Sequence, residues 1–440
     1  MWCRGRFVLH RGGRSLATTP YAPKTINGFE SASLRRAGST NFPKRATTGG
    51  YQPRTMNESL HRTEHMPKSH KLKNGRPVIT VIGVGGAGSN AVNSMITSQL
   101  EGVDFVVANT DCQALARSLT PRKITLGKEL TKGLGAGSKP TLGRTAAEMS
   151  RDEIAAQLEG SNMLFVTGGM GGGTCTGAAP VVASIAREMG ILTVAVVSTP
   201  FRSEGPNRSR IAIQGLSALS QAVDTLIVVP NQNLLALSTP STTLVDAFRY
   251  ADAVLLEGVK GVTDLIVKPG LINLDFADIN TILSKAGRAM MGSGQASGDD
   301  RAEAAARAAM STPLLGDLPT ENATGLLVTI RGGEDMTLFE VDSIMGIIRD
   351  RVSESANVIF GTCYDPSIEG SIHVSVIVSG IKTDQFMPPA GRVRKEEEVP
   401  ASSSSSAPHG QVDDKDSDST STTTTRRGSS KGGILGLFKL

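Results

Sequence analysis

The stretch Val78-Ile79-Thr80-Val81-Ile82-Gly83-Val84-Gly85-Gly86-Ala87-Gly88 decides how this chain is read. Its first five residues read as a short buried strand that runs straight into a glycine loop, and a helix follows from Ser89 through Met95. Working outward, strands are expected at Phe105 to Ala108, Met163 to Thr167, Leu192 to Ser198 and Thr225 to Val229. Helices such as Arg144 to Leu158 and Ala178 to Met189 fall between them. That alternation predicts an α/β fold with a Rossmann-like, doubly wound parallel sheet over residues 77–241.

Gly83-x-Gly85-x-x-Gly88 after a strand matches the dinucleotide fingerprint, with Asp111 placed to hold a ribose, so a nicotinamide-dependent oxidoreductase is one reading. The same spacing serves any phosphate seated on a helix N-terminus, where free N–H groups and the helix dipole meet the anion. A second loop, Gly168-Gly169-Met170-Gly171-Gly172-Gly173-Thr174-Cys175-Thr176-Gly177, and a third, Gly133-Leu134-Gly135-Ala136-Gly137-Ser138, exceed what one pyrophosphate needs. A triphosphate surrounded by backbone donors is the better physical account. No G-x4-G-K-[ST] occurs, which removes the P-loop class. Glu204, Arg208 and Asp252 are candidates for the ribose or the base; each also reads as a surface ion pair or a cap.

From 242 to 268 runs one long helical pattern, with Val245, Phe248, Leu255, Val259, Val262 and Ile266 on an apolar face. Pro269-Gly270 stops it, and a smaller α+β unit over 269–382 follows, with strands expected at Gly325 to Ile330, Asn357 to Thr362 and Ile372 to Val378. The Ser/Thr-rich segment 383–431 reads as a disordered linker and 432–440 as a short apolar peptide.

The net charge of +5 divides unevenly. Residues 1–76 hold 15 Lys/Arg against 3 Asp/Glu, leaving 31 against 38 for the rest, so the body is acidic and a nucleic-acid partner is not expected. The basic segment, poor in acids and rich in Ser and Thr, has transit-peptide composition. Its other reading is a disordered basic arm. The longest apolar runs fall far short of the roughly 18 residues of a membrane span. Cys3, Cys112, Cys175 and Cys363 are widely spaced without a CxxC, which supports neither a disulfide framework nor a zinc site.

Residues 77–440 contain only His373 and His409, so histidine acid/base catalysis is not expected. The remaining carboxylate group is Asn273-Leu274-Asp275-Phe276-Ala277-Asp278. It reads as the N-cap of a helix beginning near Ile279, and Asp275 with Asp278 could also orient a water for attack on a phosphate. The long helix separates this group from the glycine loops, so within one subunit the two are not expected to meet.

Val81-Ile82-Gly83-Val84-Gly85-Gly86, Asn109-Thr110-Asp111, Leu130 to Gly137, Gly171 to Pro180, Asn273 to Asp278 and Ala289 to Gly294 together resemble the FtsZ family, the tubulin-like GTPases of bacterial and organelle division. The resemblance covers about Val78 to Gly380. It implies a GTP-hydrolysing protein whose subunits stack head to tail. Asn273, Asp275 and Asp278 would act in trans on the nucleotide of the next subunit, which removes the geometric difficulty. It also implies phosphate contacts from Gly86, Ala87, Gly88, Ser89 and Asn90, from Gly135, Ala136, Gly137 and Ser138, and from Gly172, Gly173, Thr174, Cys175, Thr176 and Gly177. Glu204, Arg208 and Asp252 would contact ribose or guanine, GTP or GDP is the ligand, and Mg2+ accompanies the triphosphate without a dedicated protein ligand.

Cys175 stands where the family usually has glycine; beside the phosphates it would weaken nucleotide binding, and GTP would shield its thiol. That departure keeps open a second function, a non-catalytic subunit that copolymerises with an active paralogue. The terminal Ile434 to Leu440 keeps an apolar anchor but lacks the acid and the proline of the family's tail, so a membrane tether stands beside weak direct membrane contact and plain disorder. With the basic leader, and with Gly270 to Ile279 and Asp335 to Asp342 resembling the alphaproteobacterial branch, the mitochondrial matrix is the expected location and the plastid stroma the alternative.

Overall fold

The computed structural model describes residues 76–268, 270–284, 286–315 and 323–380. The leader apart from Arg76, the stop at Pro269, the linker 383–431 and the peptide 432–440 lie outside the described residues.

Among the described residues, ten strands form one sheet: β1 (Ile79–Val84), β2 (Val103–Asn109), β3 (Lys123–Thr125), β4 (Met163–Gly169), β5 (Leu192–Thr199), β6 (Thr225–Pro230), β7 (Gly287–Ser297), β8 (Gly325–Gly332), β9 (Asn357–Tyr364) and β10 (Ser371–Ser379). Their order is β3-β2-β1-β4-β5-β6-β7-β10-β8-β9. Every pairing from β3 to β7 is parallel, so the doubly wound Rossmann-like sheet expected for the first half is present. Beyond β7 the pairing turns antiparallel through β10 to β8, and β8 and β9 are parallel. The sheet runs unbroken into the second half, through three residue pairs between β6 and β7: Thr225 with Gly287, Leu226 with Arg288, Ile227 with Ala289.

Helices cover both faces. Pro140–Met149, Arg151–Leu158, Thr174–Glu188 and Pro206–Ala222 pack on one side, burying Ala146, Ile154, Val182 and Leu219. Gly85–Thr97, the connecting helix Leu244–Val267 and Phe276–Leu283 pack on the other, burying Met95, Leu255, Val262 and Ile279. A further core joins the antiparallel strands to Arg301–Met310 and Leu338–Arg349.

Four expectations are corrected. The helix expected over Arg144 to Leu158 is two helices, broken at Ser150, whose hydroxyl accepts the Gly127 N–H at 3.0 Å. The helix expected from Ala178 starts at Thr174. Val245, assigned to the apolar face of the connecting helix, is 60% exposed. Strand β7 had no counterpart in the sequence reading: helix Arg301–Met310 lies so close that a side chain at Gly294 would meet the Ala309 amide at 2.5 Å, and the glycines this demands hide the alternation of a strand.

Candidate functional site

The three glycine loops meet at the carboxyl ends of the parallel strands, where ligands bind in open α/β sheets. β1 passes directly into helix Gly85–Thr97, and β4 passes through Met170 to Gly173 into helix Thr174–Glu188. Each helix therefore turns its first free N–H groups toward the same region. The loops touch. A Cβ at Gly85 would lie 3.2 Å from the Cys175 amide nitrogen, one at Gly169 would lie 3.0 Å from the Ala87 methyl, and one at Gly173 would lie 2.8 Å from the Lys139 nitrogen. The Gly135 N–H donates to the Thr110 carbonyl at 3.0 Å, and the Thr110 and Thr174 hydroxyls are 2.7 Å apart, which ties the third loop to the second through β2. That hydroxyl pair was not singled out from sequence, because nothing in the spacing of Thr110 and Thr174 says that they meet.

Over the meeting point the space is open. Side chains at Gly86, Gly137 or Gly172 would encounter nothing within 4 Å among the described residues, so these glycines border an open cradle. Ala87, Asn90 and Ser138 are exposed there, and Gly135 and Thr174 are half-exposed. Gly88, Ser89, Ala136, Gly173, Thr176 and Gly177 are buried. Gly88 packs on the Thr167 carbonyl, Gly177 on Pro140 and Arg144, and the Ser89 hydroxyl donates to the Gly85 carbonyl, so the structure gives these three a packing role. The Thr176 hydroxyl accepts the Gly171 N–H at 2.9 Å and holds the second loop in shape.

The Cys175 side chain does not face the cradle. It lies within a helix, outside the left-handed region, and its sulfur points under the loop, 4.0 Å from the Met170 sulfur and against Gly168. Burial pushes its thiol up to about 12, so it is neutral and unreactive. The expectation of a thiol beside the phosphates is overturned, and what Cys175 presents to a ligand is its backbone N–H.

Asp111 is an N-cap: its carboxylate accepts the N–H groups of Gln113 and Ala114 at 2.8 and 3.4 Å. This local role accounts for the residue without a ribose. Glu204 accepts the Phe201 N–H at 2.8 Å and pairs with Arg208 at 3.1 Å, and Arg208 packs against Gly171 of the second loop. Asp252 is half-buried on the connecting helix, one turn after Phe248, with no hydrogen bond or ion pair among the described residues. Burial raises its carboxyl to about 6. A desolvated carboxyl without a partner suits an N–H or O–H donor brought by a ligand.

Asn273, Asp275 and Asp278 follow the far end of the connecting helix, which is about 36 Å long at 1.5 Å per residue. That end packs its Val267 against Gly102, where β2 begins, at the end of the parallel strands opposite the glycine loops. Asp275, not Asp278, caps the helix, which starts at Phe276 and not near Ile279. The two form a reciprocal box: Asp275 accepts the Asp278 N–H at 2.8 Å, and Asp278 accepts the Asp275 N–H at 3.4 Å. Each carboxylate keeps a second oxygen outside the box. Asn273 accepts the Gly270 N–H at 2.8 Å and fixes the loop that presents them.

An Mg2+ accompanying the triphosphate would take its oxygen ligands from the nucleotide and water. Among the described residues no group of three or more His, Cys, Asp or Glu side chains could hold a metal ion, and the loops offer N–H donors where a hard cation takes oxygen.

The fold is that of the tubulin class: residues 78–239 match the Tubulin/FtsZ family GTPase domain, and residues 287–382 the FtsZ family C-terminal domain. The chain belongs to the FtsZ family. It is 56% identical over 314 residues to the cell division protein FtsZ of Magnetospirillum gryphiswaldense, covering 71% of this chain and 56% of that protein. To FtsZ of a Wolbachia species it is 54% identical, over 74% of this chain and 83% of the relative. The structure of an empty FtsZ dimer from M. jannaschii superposes with a TM-score of 0.67 at 42% identity, covering 70% of this chain and 89% of that one. The nicotinamide reading is left without support.

Proposed function

We propose that this protein hydrolyses GTP at the contact between successive subunits of a head-to-tail filament that divides an organelle. One observation supports the reading: the glycine loops lie at the carboxyl ends of the parallel strands, while the Asp275–Asp278 box follows the end of the 24-residue helix that packs at Gly102, where β2 begins. A carboxylate pair in that position serves a nucleotide only when a second copy brings it there, and a heterologous contact that does not close propagates as a filament. Apolar side chains exposed at both ends suit such stacking: Leu134 is 81% exposed beside the cradle and Leu271 90% exposed beside the box. In the filament Asp275 and Asp278 would orient water, the loop amides would stabilise the phosphate charge, and Mg2+ would ride on the nucleotide's own oxygens.

The composition of the leader suits an organelle, and the likeness of Gly270 to Ile279 and Asp335 to Asp342 to the alphaproteobacterial branch favours the mitochondrial matrix over the plastid. With the Cys175 thiol out of the cradle, the non-catalytic subunit loses its main argument. Turnover of GTP per subunit against protein concentration, with light scattering in parallel, tests the mechanism. Turnover rising with scattering above a threshold concentration is expected; turnover independent of concentration would place the whole site in one subunit and sink the proposal.

A further inference from the structure

The cradle holds no formal charge of its own. Gly83 to Asn90, Gly133 to Ser138 and Gly168 to Gly177 contain no Asp, Glu, Lys or Arg. Asp111 is occupied as a cap and Arg208 is paired with Glu204. The box of Asp275 and Asp278 adds only negative charge. Apart from any Mg2+ it brings, a polyphosphate carrying several negative charges would thus meet only N–H dipoles from these loops.

Lys139 stands where that counter-charge is missing. Gly137 and Ser138 both take left-handed conformations, φ 53° and 58°, and the Lys139 N–H donates to the Ala136 carbonyl at 3.0 Å, the pattern of a type I′ turn. The left-handed backbone at Ser138, uncommon for a residue other than glycine, ends the third loop and sets Lys139 on the second. A Cβ at Gly173 would lie 2.8 Å from the Lys139 backbone nitrogen, which places the stem of this side chain at the entry of helix Thr174–Glu188. Lys139 is in extended conformation at the start of helix Pro140–Met149, gives no side-chain cap, is exposed, and forms no ion pair among the described residues. Its flexible four-carbon stem carries a point charge suited to phosphate. Lys132, at the other end of the loop, adjoins Gly133, which packs on Cys112 and not on the second loop.

We propose that Lys139 is a phosphate-binding residue of this site, its ammonium supplying the positive charge that the glycine loops lack. The inference rests on the GTPase reading above. It predicts that affinity for GTP depends on the charge at this one position and that the salt dependence of binding is set largely there.

The test titrates GTP into the full-length chain and its Lys139→Gln, Lys139→Arg and Lys132→Gln variants at several salt concentrations, with thermal melts to register any structural effect. Lys139→Gln is expected to weaken GTP binding about tenfold or more with unchanged melting and a flatter salt dependence, while Lys139→Arg and Lys132→Gln stay within about threefold of the parent. Binding by Lys139→Gln at the parent's affinity, or equal losses at 132 and 139, would overturn the assignment. A parent chain that binds no GTP at all would overturn the GTPase reading, and this one with it.

Discussion

Phe201 and Phe248 meet edge to face, ring centroids 5.6 Å apart and planes at 85°, and so join the end of β5 to the first turns of the connecting helix. Phe201 lies three residues before Glu204 and Phe248 four before Asp252, so this contact sets the distance between the two acidic candidates for ribose and base. Phe248→Ala is expected to cost about 2 kcal/mol in unfolding, since the ring is half-buried, and to weaken GTP binding as well. Phe248→Leu should restore much of the stability and less of the affinity. Unchanged GTP affinity in the alanine variant, measured by titration, would remove the positioning role.

Asp252 gives the site a pH signature. Its carboxyl, near 6 in the folded chain against an ordinary 3.8, binds more protons folded than unfolded between those values, so its contribution to stability falls as pH rises through that window. A ligand donating an N–H or O–H to the carboxylate favours the charged form, so GTP affinity should rise from pH 5 to 7 and proton release should accompany binding. Asp252→Asn should flatten that dependence, as calorimetry in buffers of different ionisation enthalpy can show.

Cys175 and Cys112 should separate cleanly under alkylation. Cys112 is exposed, whereas Cys175 is buried and held neutral. Labelling of the native chain followed by peptide mass analysis should find Cys112 modified first, and Cys175 modified only after denaturation, with or without GTP. Protection of Cys175 specifically by nucleotide would return its thiol to the cradle.

The capping box allows structure and catalysis to be pulled apart at Asp275. Asparagine caps a helix about as well as aspartate but lacks the charge, so Asp275→Asn should leave the melting temperature nearly unchanged while lowering turnover. Asp275→Ala should lose turnover and about 1 kcal/mol of stability. An asparagine variant with normal turnover would confine Asp275 to capping.

The first half of the fold was legible because β1, β4, β5 and β6 are buried on both faces and read as continuous apolar runs bounded by glycine. Where reading failed, long-range packing had overridden local pattern. Gly292 and Gly294 hide β7 because the helix that follows it, Arg301–Met310, folds back and presses on them. The orientation of Cys175 depended on helical phase: a helix beginning at Thr174 puts Cys175, Ala178, Ala179 and Val182 on one buried stripe, and a helix assumed to begin at Ala178 cannot show this. The choice between Asp275 and Asp278 as cap was likewise a matter of three residues in a boundary. Every loop of the cradle was found from glycine content; the hydroxyl pair that joins two of them was not.

The junction of β6 and β7 has a mechanical meaning. Three residue pairs join the two halves of the sheet there, whereas β7 pairs with β10 over nine. Tension applied between the cradle end and the box end of a subunit would cross the sheet at this narrow seam, with the connecting helix lying parallel as a second strut. Under load the pairing of Thr225 to Ile227 with Gly287 to Ala289 would be the weakest line of the sheet itself, and the apolar core shared across it, Val196 and Ile227 with Leu327 and Ile377, would oppose the separation.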